Sequence, residues 1–515
     1  MTKQKGSGPT TKYVVWRSPV RTELLSMESL PVRPVQRSNT LSRMMRTGRS
    51  ESPGRISPDP ALSFEPGSDI YYPLSFNCYG KHGASYTLFA STIEVRNEWR
   101  RKMLHAINAR KASQESSSIF RLETISDSTT TSHEGPAHHS GQITGRASCT
   151  LPFGSDGRRF FAIGSEDGVW IGMPHHPNSI QRVIPLKMVT QIAFLAEFGL
   201  LVVLADRIMH AIGIESVVPS ATRDAEQPVF GLQRISNPQT PIHFFSVGCL
   251  GGETLIISKK RKALDSVFRI LKVSRPISQN AKDANQADLQ DFFLPSDTHD
   301  LLFLKTKVCI LCTRGFEIMD LSDFSSATIP LEEDLQQLGK RPGANRPIAM
   351  HRIREDEFLL CYDGKQFGLY VDKRGVPSRS PPVIEWEGVA THAAWHAPYV
   401  VLFHESFIEA RHVESGRLAQ IVSGHDIRCL WDGRGAVPAE HDAAFGYDDF
   451  EDPRTPRIHA VLDRSDAPSL TSHVRNPGKR QRIVELVPTE RLVVPGTRYS
   501  PSLLSVADTL PPYTP

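Results

Sequence analysis

Two cysteines are spaced closely enough to suggest metal or redox chemistry. Cys309 and Cys312 have the CxxC spacing of zinc and thiol–disulfide sites. They lie in the apolar run 307–313, which reads as a strand, and residues three apart on a strand point to opposite faces. No second CxxC or nearby histidine pair completes a tetrahedral site in the sequence. We therefore expect two packed thiols rather than metal ligands or a redox pair.

Three further groups contain residue types that bind metals. His138-His139 and His175-His176 occur in polar, proline-containing segments, whereas zinc ligands usually converge from separate elements. The acidic run Asp442–Asp452 resembles a calcium loop in composition, but it lacks EF-hand spacing and the closing glutamate. These patterns predict exposed loops and a disordered acidic insert, so we assign no metal-binding residue from the sequence.

Catalytic and nucleotide-binding motifs are missing from the sequence. Neither GxxxxGK[ST] nor GxGxxG before a helix occurs, and neither GxSxG nor HExxH is present. The densest glycine cluster, Gly248–Gly252, lies between two strand-like runs with no helix after it, which predicts a strand connection. The sequence therefore offers no catalytic residue, no cofactor-binding residue and no cofactor.

Composition places the chain among large globular proteins. It has 515 residues, of which 39% are apolar and 23% charged, so a sizeable core is available. The longest apolar run, Phe198–Ala205, is too short to cross a bilayer, and the first residues contain no apolar secretory segment. The seven cysteines are odd in number and scattered, which argues against a disulfide framework. We expect a cytoplasmic protein.

Positive charge is concentrated at the front of the chain. Residues 1–112 contain 18 lysines and arginines against 8 acidic residues, although the whole chain has a net charge of only +4. A polybasic segment can meet acidic lipid or nucleic acid, but arginines spread among serines and prolines more often form a solvated, phosphorylatable loop. Nucleic-acid binding also needs free aromatic residues for stacking, and those at the front read as parts of strands or a helix. We expect no nucleic-acid partner, and at most weak contact with anionic membranes.

Most of the chain repeats one pattern, an apolar β-rich run, a polar or glycine-containing break, and a second run. Phe160–Gly172 is the clearest unit, with Asp167-Gly168 as its turn. Because one hairpin of this size cannot bury both faces, several must pack together. The pattern extends from about 149 to 487, and blades of four strands take about 40–50 residues each. We therefore predict a mainly β protein with a propeller of about seven blades. Further units are Leu200–Ile214, Leu301–Leu321, Phe358–Val371 and Tyr399–Val413.

The front of the chain reads as a sheet followed by a helix. Tyr71–Tyr79 and Ser85–Ala90 are strand-like and are joined by a glycine-containing break. The sequence Ser91-Thr-Ile-Glu94 has the pattern of a capping box, so the helix is predicted to begin with Ser91 as its cap. Four apolar residues recur every four positions and predict the packed face, and arginines and a lysine lie mostly off it. The apolar residues are Val95, Trp99, Met103 and Ile107.

Two strands followed by an amphipathic helix with a central tryptophan resemble the end of a pleckstrin homology (PH) domain. The residues that carry this resemblance lie in 72–76, 86–90 and 97–103, and the segment 13–25 extends it forward. The β-rich region beyond resembles a citron homology (CNH) domain. Its matching segments are Phe160–Gly172, Val189–Ala205, Lys307–Leu321, Phe358–Asp372 and Arg482–Pro488. A PH domain followed by a CNH domain is the order found in fungal Rho-type guanine-nucleotide exchange factors.

This resemblance implies a domain plan. We expect a partial PH domain over 12–112 with a disordered insert at about 30–69, a disordered linker over 113–147, a CNH propeller over 148–490 and a disordered tail over 491–515. The first PH strands and the helical Dbl homology domain that catalyses exchange find no match, so the chain is expected to be a fragment of a longer exchange factor.

The function implied is that of a non-catalytic regulatory portion of a Rho-type exchange factor. Its propeller is expected to dock a small GTPase or another signalling protein, and its PH remnant to face the plasma membrane as a peripheral contact. The alternative is an enzyme with an active site in the propeller channel, which has no motif to support it.

Overall fold

The computed structural model describes two compact units, Met1–Ser117 and Ser118–Pro515. The described residues are 2–4, 12–14, 20–27, 35–36, 70–81, 83–115, 118–130, 143–155, 157–174, 176–218, 231–262, 265–273, 289–337, 346–363, 367–434, 457–463 and 480–489. Apart from 35–36, the predicted insert 30–69 lies outside them, as does the predicted tail 491–515. No helix in this part of the chain has the length and apolarity needed to span a bilayer.

The described residues of the front unit form six strands and one long helix. The strands β1 and β2 pair with each other, and β5 pairs antiparallel with β3, β4 and β6. Leu24, Leu74 and Cys78 form its small buried core. The elements are β1 (Thr2–Gln4), β2 (Lys12–Val14), a 3-10 turn (Thr22–Leu24), β3 (Leu25–Met27), β4 (Val35–Gln36), β5 (Ile70–Cys78), β6 (Ala84–Ala90) and α1 (Ile93–Glu115).

The predicted strands and helix of the front unit are present, but the helix cap and its packed face differ from the prediction. The helix α1 begins at Ile93, and the backbone N–H of Val95 donates to Thr92 Oγ1 at 3.3 Å, so Thr92 and not Ser91 is the cap. Val95 and Trp99, the first half of the predicted packed face, are exposed, whereas Met103 and Ile107 in its second half are partly buried. The buried residue of this turn is Arg96, whose Nε donates to the Pro73 carbonyl at 3.1 Å.

In the part of the second unit that the structure describes, the strands form seven antiparallel sheets of four strands, taken almost in chain order. Sheets one to six each use four consecutive strands, and sheet seven uses the last three strands together with β7. The strands of the first four sheets, after β7 (Phe120–Thr130), are β8 (Ala147–Ser155), β9 (Arg158–Ser165), β10 (Gly168–Gly172), β11 (Gln181–Ile184), β12 (Val189–Leu195), β13 (Leu200–Ala205), β14 (Ile208–Gly213), β15 (Gln233–Arg234), β16 (Ile242–Leu250), β17 (Glu253–Lys262), β18 (Asp265–Val273), β19 (Leu289–Leu294), β20 (Thr298–Phe303), β21 (Val308–Cys312), β22 (Gly315–Met319) and β23 (Ser326–Ile329).

The remaining sheets follow the same order. A short helix, α2 (Glu332–Gln337), lies between sheets four and five, and 3-10 turns occur at Pro177–Ser179, Ala196–Phe198 and Ile214–Ser216. The strands are β24 (Pro347–Arg352), β25 (Glu357–Tyr362), β26 (Phe367–Asp372), β27 (Val383–Glu385), β28 (His392–His396), β29 (Tyr399–Phe403), β30 (Phe407–His412), β31 (Leu418–Ser423), β32 (Arg428–Trp431), β33 (Ile458–Asp463) and β34 (Arg480–Pro488).

The seven sheets close into a ring, because every neighbouring pair shares one apolar cluster. The sixth and seventh sheets share a cluster, and so do the seventh and the first. The ring is a seven-bladed β-propeller, which confirms the predicted fold class and blade number. Members of the clusters, in ring order, are Phe160 and Leu201, Leu200 and Phe245, Phe268 and Ile310, Leu311 and Leu360, Leu359 and Leu402, Phe403 and Ile458, and Ile163 and Val461.

Alternation along the strands explains why the apolar runs are continuous. In β13, Leu201 and Val203 face the first sheet, whereas Leu200, Val202 and Leu204 face the third. A strand covered on both faces must be apolar at every position, whereas a half-exposed strand alternates with polar residues. The first strands of neighbouring sheets also contact one another, for example β8 with β12 and β32 with β8. These first strands therefore line the central channel.

The strand β7 completes the seventh sheet from the opposite end of the chain. It pairs antiparallel with β34, so the ring is closed by a strand that precedes all the others of the propeller. The buried side chain of Gln420 accepts from the backbone N–H groups of Ile119 and Phe120 at 3.0 and 2.9 Å. Its Nε2 donates to the Phe120 carbonyl at 2.9 Å. Three hydrogen bonds from one side chain thus hold the start of β7 in place.

The predicted linker over 113–147 is therefore wrong over much of its length. The helix α1 continues to Glu115, Phe120–Thr130 is a strand of the propeller, and β8 begins at Ala147. Residues 131–142 lie outside the described part of the chain. The serine- and threonine-rich composition of this region predicted a linker. The strand β7 was not predicted because its pairing partner, β34, is distant in sequence.

Candidate functional site in the propeller channel

Titratable side chains from four sheets meet in the central channel. Asp300 lies on β20 and His351 on β24, the first strands of sheets four and five. His392 is the first residue of β28 in sheet six, and Asp432 and Arg434 follow β32 in sheet seven. Because first strands line the channel, the ring brings these residues together although they are far apart in sequence.

The charged groups form a continuous bridge across the channel. His392 Nε2 lies 2.9 Å from Asp432 Oδ2, and the guanidinium of Arg434 contacts Asp432 through its Nε. The same guanidinium reaches Asp300 Oδ2 at 2.5 Å through an NH1 group. The backbone N–H of Arg434 also donates to Asp432 Oδ1 at 3.0 Å. Sheets four and seven lie on nearly opposite sides of a ring of seven, so Arg434 spans the channel between them.

The opposite charges in this channel bridge, which consists of Asp300, His392, Asp432 and Arg434, compensate one another. Burial disfavours the charged form of His392, but the neighbouring Cys429 sulfur and the Asp432 carboxylate outweigh it and raise the pKa of His392 to about 10. Burial also raises the pKa of Asp432, but Arg434 and His392 hold it well below its ordinary value. At neutral pH, two cations therefore face two carboxylates. This pairing leaves little free charge for a substrate.

His351 contrasts with its charged neighbours. Burial lowers the pKa of His351 to about 4, so its ring is neutral at pH 7. Its Nε2 is buried and has no hydrogen-bond partner among the described residues. The ring lies beside Trp395, with 6.1 Å between the ring centroids and 23° between their planes. His351 therefore adds a neutral wall to the channel rather than another charge.

The structure separates the two cysteines of the CxxC motif as predicted. Cys312 faces the cluster between sheets three and four, and Cys309 faces the cluster between sheets four and five. Burial raises the pKa of Cys312 to about 12 and that of Cys309 well above its usual value, so both are protonated thiols. Within the described residues, no group of three histidine, cysteine or acidic side chains is arranged to hold a metal ion.

The other patterns singled out in the sequence lie elsewhere. His176 is exposed before a 3-10 turn, and His138, His139, His175 and the acidic run 442–452 fall outside the described residues. Gly251 and Gly252 form the turn between β16 and β17 with φ of 60° and 80°, which confirms a strand connection. The turn between β9 and β10 is formed by Glu166 and Asp167, one residue earlier than the predicted Asp167-Gly168, because Gly168 already pairs with Ser165 as the first residue of β10.

Sequence reasoning missed the channel bridge. Arg434 and Asp300 are separated by 134 positions, and no spacing rule connects two such residues before the ring is known. The one available signal was that Asp300 and His392 each precede an apolar run of a first strand. That signal does not say which strands face the channel.

The front unit carries a second surface of interest. Leu88, Phe89 and Trp99 are 54, 58 and 56% exposed, unusually high values for large apolar residues, and Ile93 and Val95 are also exposed. One face of α1 carries hydrogen-bond donors and one leucine. Its residues are Asn97, Arg100, Arg101, Leu104, His105 and Asn108.

Comparison with known proteins places this fold in a family. The profile of the CNH domain family matches residues 157–433, more than half of the chain. Rho1 guanine nucleotide exchange factor 1 of Schizosaccharomyces pombe is 28% identical over 387 residues, which are 71% of this chain and 27% of that protein. RHO1 GDP-GTP exchange protein 2 of Saccharomyces cerevisiae is 24% identical over 311 residues, which are 57% of this chain and 22% of that protein.

A solved structure agrees with the profile. The structure named AfRom2 CNH domain matches with a TM-score of 0.53 and 23% identity, and the match covers 72% of this chain and 99% of that chain. This likeness supports the fold. The chain spans about a quarter of the length of the two yeast relatives. From the profile match together with the seven-sheet ring, we conclude that this chain belongs to the CNH domain family.

Proposed function

We propose that this chain is a non-catalytic, protein-docking part of a Rho-type guanine-nucleotide exchange factor. The observation that carries the proposal is the propeller itself, whose sequence is similar to the corresponding region of proteins named as Rho1 exchange factors. A closed propeller presents many loops on a rigid frame, which suits recognition of another folded protein. The partner in this proposal is a Rho-type small GTPase or another signalling protein.

The channel supports docking rather than catalysis. The charged groups of the channel bridge are paired with one another, so they connect the sheets and are not available to bind a substrate. Exchange activity is assigned to a helical domain that none of the described residues forms, since the helices among them are α1 and α2. In this proposal the propeller positions a partner and adds no exchange activity of its own.

Binding to a GTPase is the direct test. The full chain would be immobilised and titrated with a Rho-type GTPase loaded with GDP or a non-hydrolysable GTP analogue, with a Ras-type GTPase as control. We expect saturable binding of the Rho-type protein and no acceleration of fluorescent GDP release. If neither nucleotide state binds, the GTPase part of the proposal is wrong. Turnover of generic ester, glycoside or phosphate substrates without such binding would favour the channel-enzyme alternative.

We further propose that the PH-like front unit meets an anionic membrane weakly, which would make the protein peripheral at the plasma membrane. Its exposed Phe89 and Trp99 can enter the headgroup region, and Arg100 and Arg101 on the same helix supply positive charge. Sedimentation with vesicles containing 30% phosphatidylserine should bring down the chain at low salt. The double variant Arg100→Gln/Arg101→Gln should remain in solution. Binding that does not depend on anionic lipid would contradict this proposal.

A further inference from the structure

A buried histidine of sheet six packs against the first residue of β7. His396 ends β28 and is only 3% exposed. The ring of Phe120, which begins β7, meets this imidazole edge to face, with 5.1 Å between the ring centroids. Phe120 also contacts Tyr399, the cross-strand partner of His396, with 6.4 Å between the centroids. The strand that closes the ring therefore begins at an aromatic contact that contains an imidazole.

The imidazole of His396 has no polar partner in this position. Both ring nitrogens are buried, and neither has a hydrogen-bond partner among the described residues. Burial lowers the pKa of His396, and the backbone at His396 and Ala397 opposes this shift only in part. The ring is therefore neutral at pH 7. Because an unpaired charge is costly in an apolar cluster, the ring has to reach water before it takes up a proton.

The titratable groups around this ring supply no compensating charge. On β29, burial raises the pKa of Tyr399, so its phenol is neutral. On β30, the ring centroid of His412 lies 5.4 Å from that of Tyr399, and burial lowers the pKa of His412. On β7, Arg121 is paired with Glu123. Within the described part of the chain, no carboxylate forms an ion pair with the buried imidazole.

The hydrogen bonds that hold the start of β7 lie at the same contact. The uncharged side chain of Gln420 on β31 accepts from the N–H groups of Ile119 and Phe120 at 3.0 and 2.9 Å. The N–H of Thr489 donates to the Ile119 carbonyl at 3.0 Å. Displacement of the Phe120 ring would break these bonds together. Since α1 ends at Glu115, the residues released would lengthen the connection between the helix and the propeller.

We propose that the contact between His396 and Phe120 is a pH-sensitive switch that releases the start of β7 from sheet six in acid. In the released form the imidazole is in water and takes up a proton at about pH 6.5, whereas in the closed form it does not. The closed form is therefore favoured above pH 6.5, and the released form becomes more populated as the pH falls below that value. This regulatory property goes beyond the proposed docking function and does not depend on it.

Amide-resolved hydrogen exchange of the full chain at pH 7.5 and 5.5 tests the proposal. Each rate would be corrected for the pH dependence of exchange in an unstructured peptide, which leaves the protection due to structure. The amides of β13, which is buried at every position, report any general loss of stability in acid. Between the two pH values, we expect the protection of the Ile119 and Phe120 amides to fall roughly fivefold more than that of the β13 amides.

Two variants separate the buried imidazole from its neighbour. His396→Phe keeps an aromatic ring without a titrating group, so it should retain protection at pH 7.5 and lose the additional fall at pH 5.5. His412→Asn, at a partly exposed position of the same sheet, should retain that fall. Circular dichroism reports whether each variant folds, and if His396→Phe does not, the comparison with β13 in the unaltered chain decides alone. Equal losses at β7 and β13, or an undiminished fall in folded His396→Phe, would overturn the proposal.

Discussion

The front unit and the propeller differ in how far the faces of their sheets are buried. In the propeller, each sheet is covered by two neighbours, and strands such as β13 and β21 are buried at every position. In the front unit, β6 pairs only with β5 among the described strands, and Leu88 and Phe89 are both exposed. The difference shows that closure, rather than apolar content, decides how much burial a β-rich segment provides.

The largest expected effect is a difference in stability loss between a buried and an exposed phenylalanine. Phe316→Ala removes a fully buried ring between sheets four and five and should cost about 3–5 kcal/mol of unfolding free energy. Phe89→Ala removes an exposed ring and should cost no more than about 0.5 kcal/mol. Urea denaturation followed by circular dichroism measures both. Similar losses would mean that β6 is covered in solution and that the contrast between the units is wrong.

The second test concerns the strand that closes the ring. Gln420→Ala leaves the buried N–H groups of Ile119 and Phe120 without their acceptor, which should cost about 2–4 kcal/mol. Hydrogen exchange should show those two amides losing protection first. Gln336→Ala is the matched control, since that side chain is exposed on α2 and should change stability by less than about 0.5 kcal/mol. Unchanged protection at Ile119 and Phe120 would show that the hydrogen bonds of Gln420 do not hold β7 in place.

A third test uses pH, because the propeller buries histidines whereas the described histidine of α1 is exposed. Burial lowers the pKa of His459 to about 3, so the unfolded chain takes up its proton at about pH 6.5 and the folded chain does not. The propeller should therefore lose stability as pH falls from 6.5 towards 3. His459→Gln should reduce that loss by roughly 2 kcal/mol between pH 6.5 and 5. His105→Gln on α1 should have no such effect, and equal slopes for both variants would refute the assignment.

The smallest expected effect concerns the start of α1. Thr92→Ala removes the observed cap and should weaken the first helical turn by about 0.5–1 kcal/mol, whereas Ser91→Ala should leave it nearly unchanged. The exchange rate of the Val95 amide is the most direct measurement, because that N–H donates to Thr92. A larger effect of Ser91→Ala would restore the capping box expected from the sequence.

The sequence predicted what depends on local pattern. Continuous apolar runs with short breaks gave the hairpins, and the spacing of Cys309 and Cys312 placed them on opposite faces of β21. The strand β7 was missed because its partner lies far along the chain, as the contact between Thr124 and Arg482 across 358 positions illustrates. Composition cannot reveal a pairing partner at that distance.

The predicted packed face of α1 was wrong over its first half for a different reason. The four-residue period of Val95 and Trp99 was read as the covered face because apolar residues usually are covered. In the structure, Arg96 is buried instead, because the Pro73 carbonyl of β5 accepts from its guanidinium. The channel bridge was missed since its members come from three different sheets. Both cases depend on tertiary neighbours that periodicity does not encode.

The position of β7 has a consequence for how the protein is made. A ribosome synthesises this strand before any other part of the propeller, yet its partner β34 emerges last of the propeller strands. At about 5–20 residues per second, the nascent chain waits on the order of 20–70 s before the two can meet. During that interval the first six sheets can form in turn, while the seventh sheet lacks the pairing of β7 with β34. Final closure therefore has to wait until β34 has emerged, and a chaperone that shields strand edges would have its greatest influence before that point.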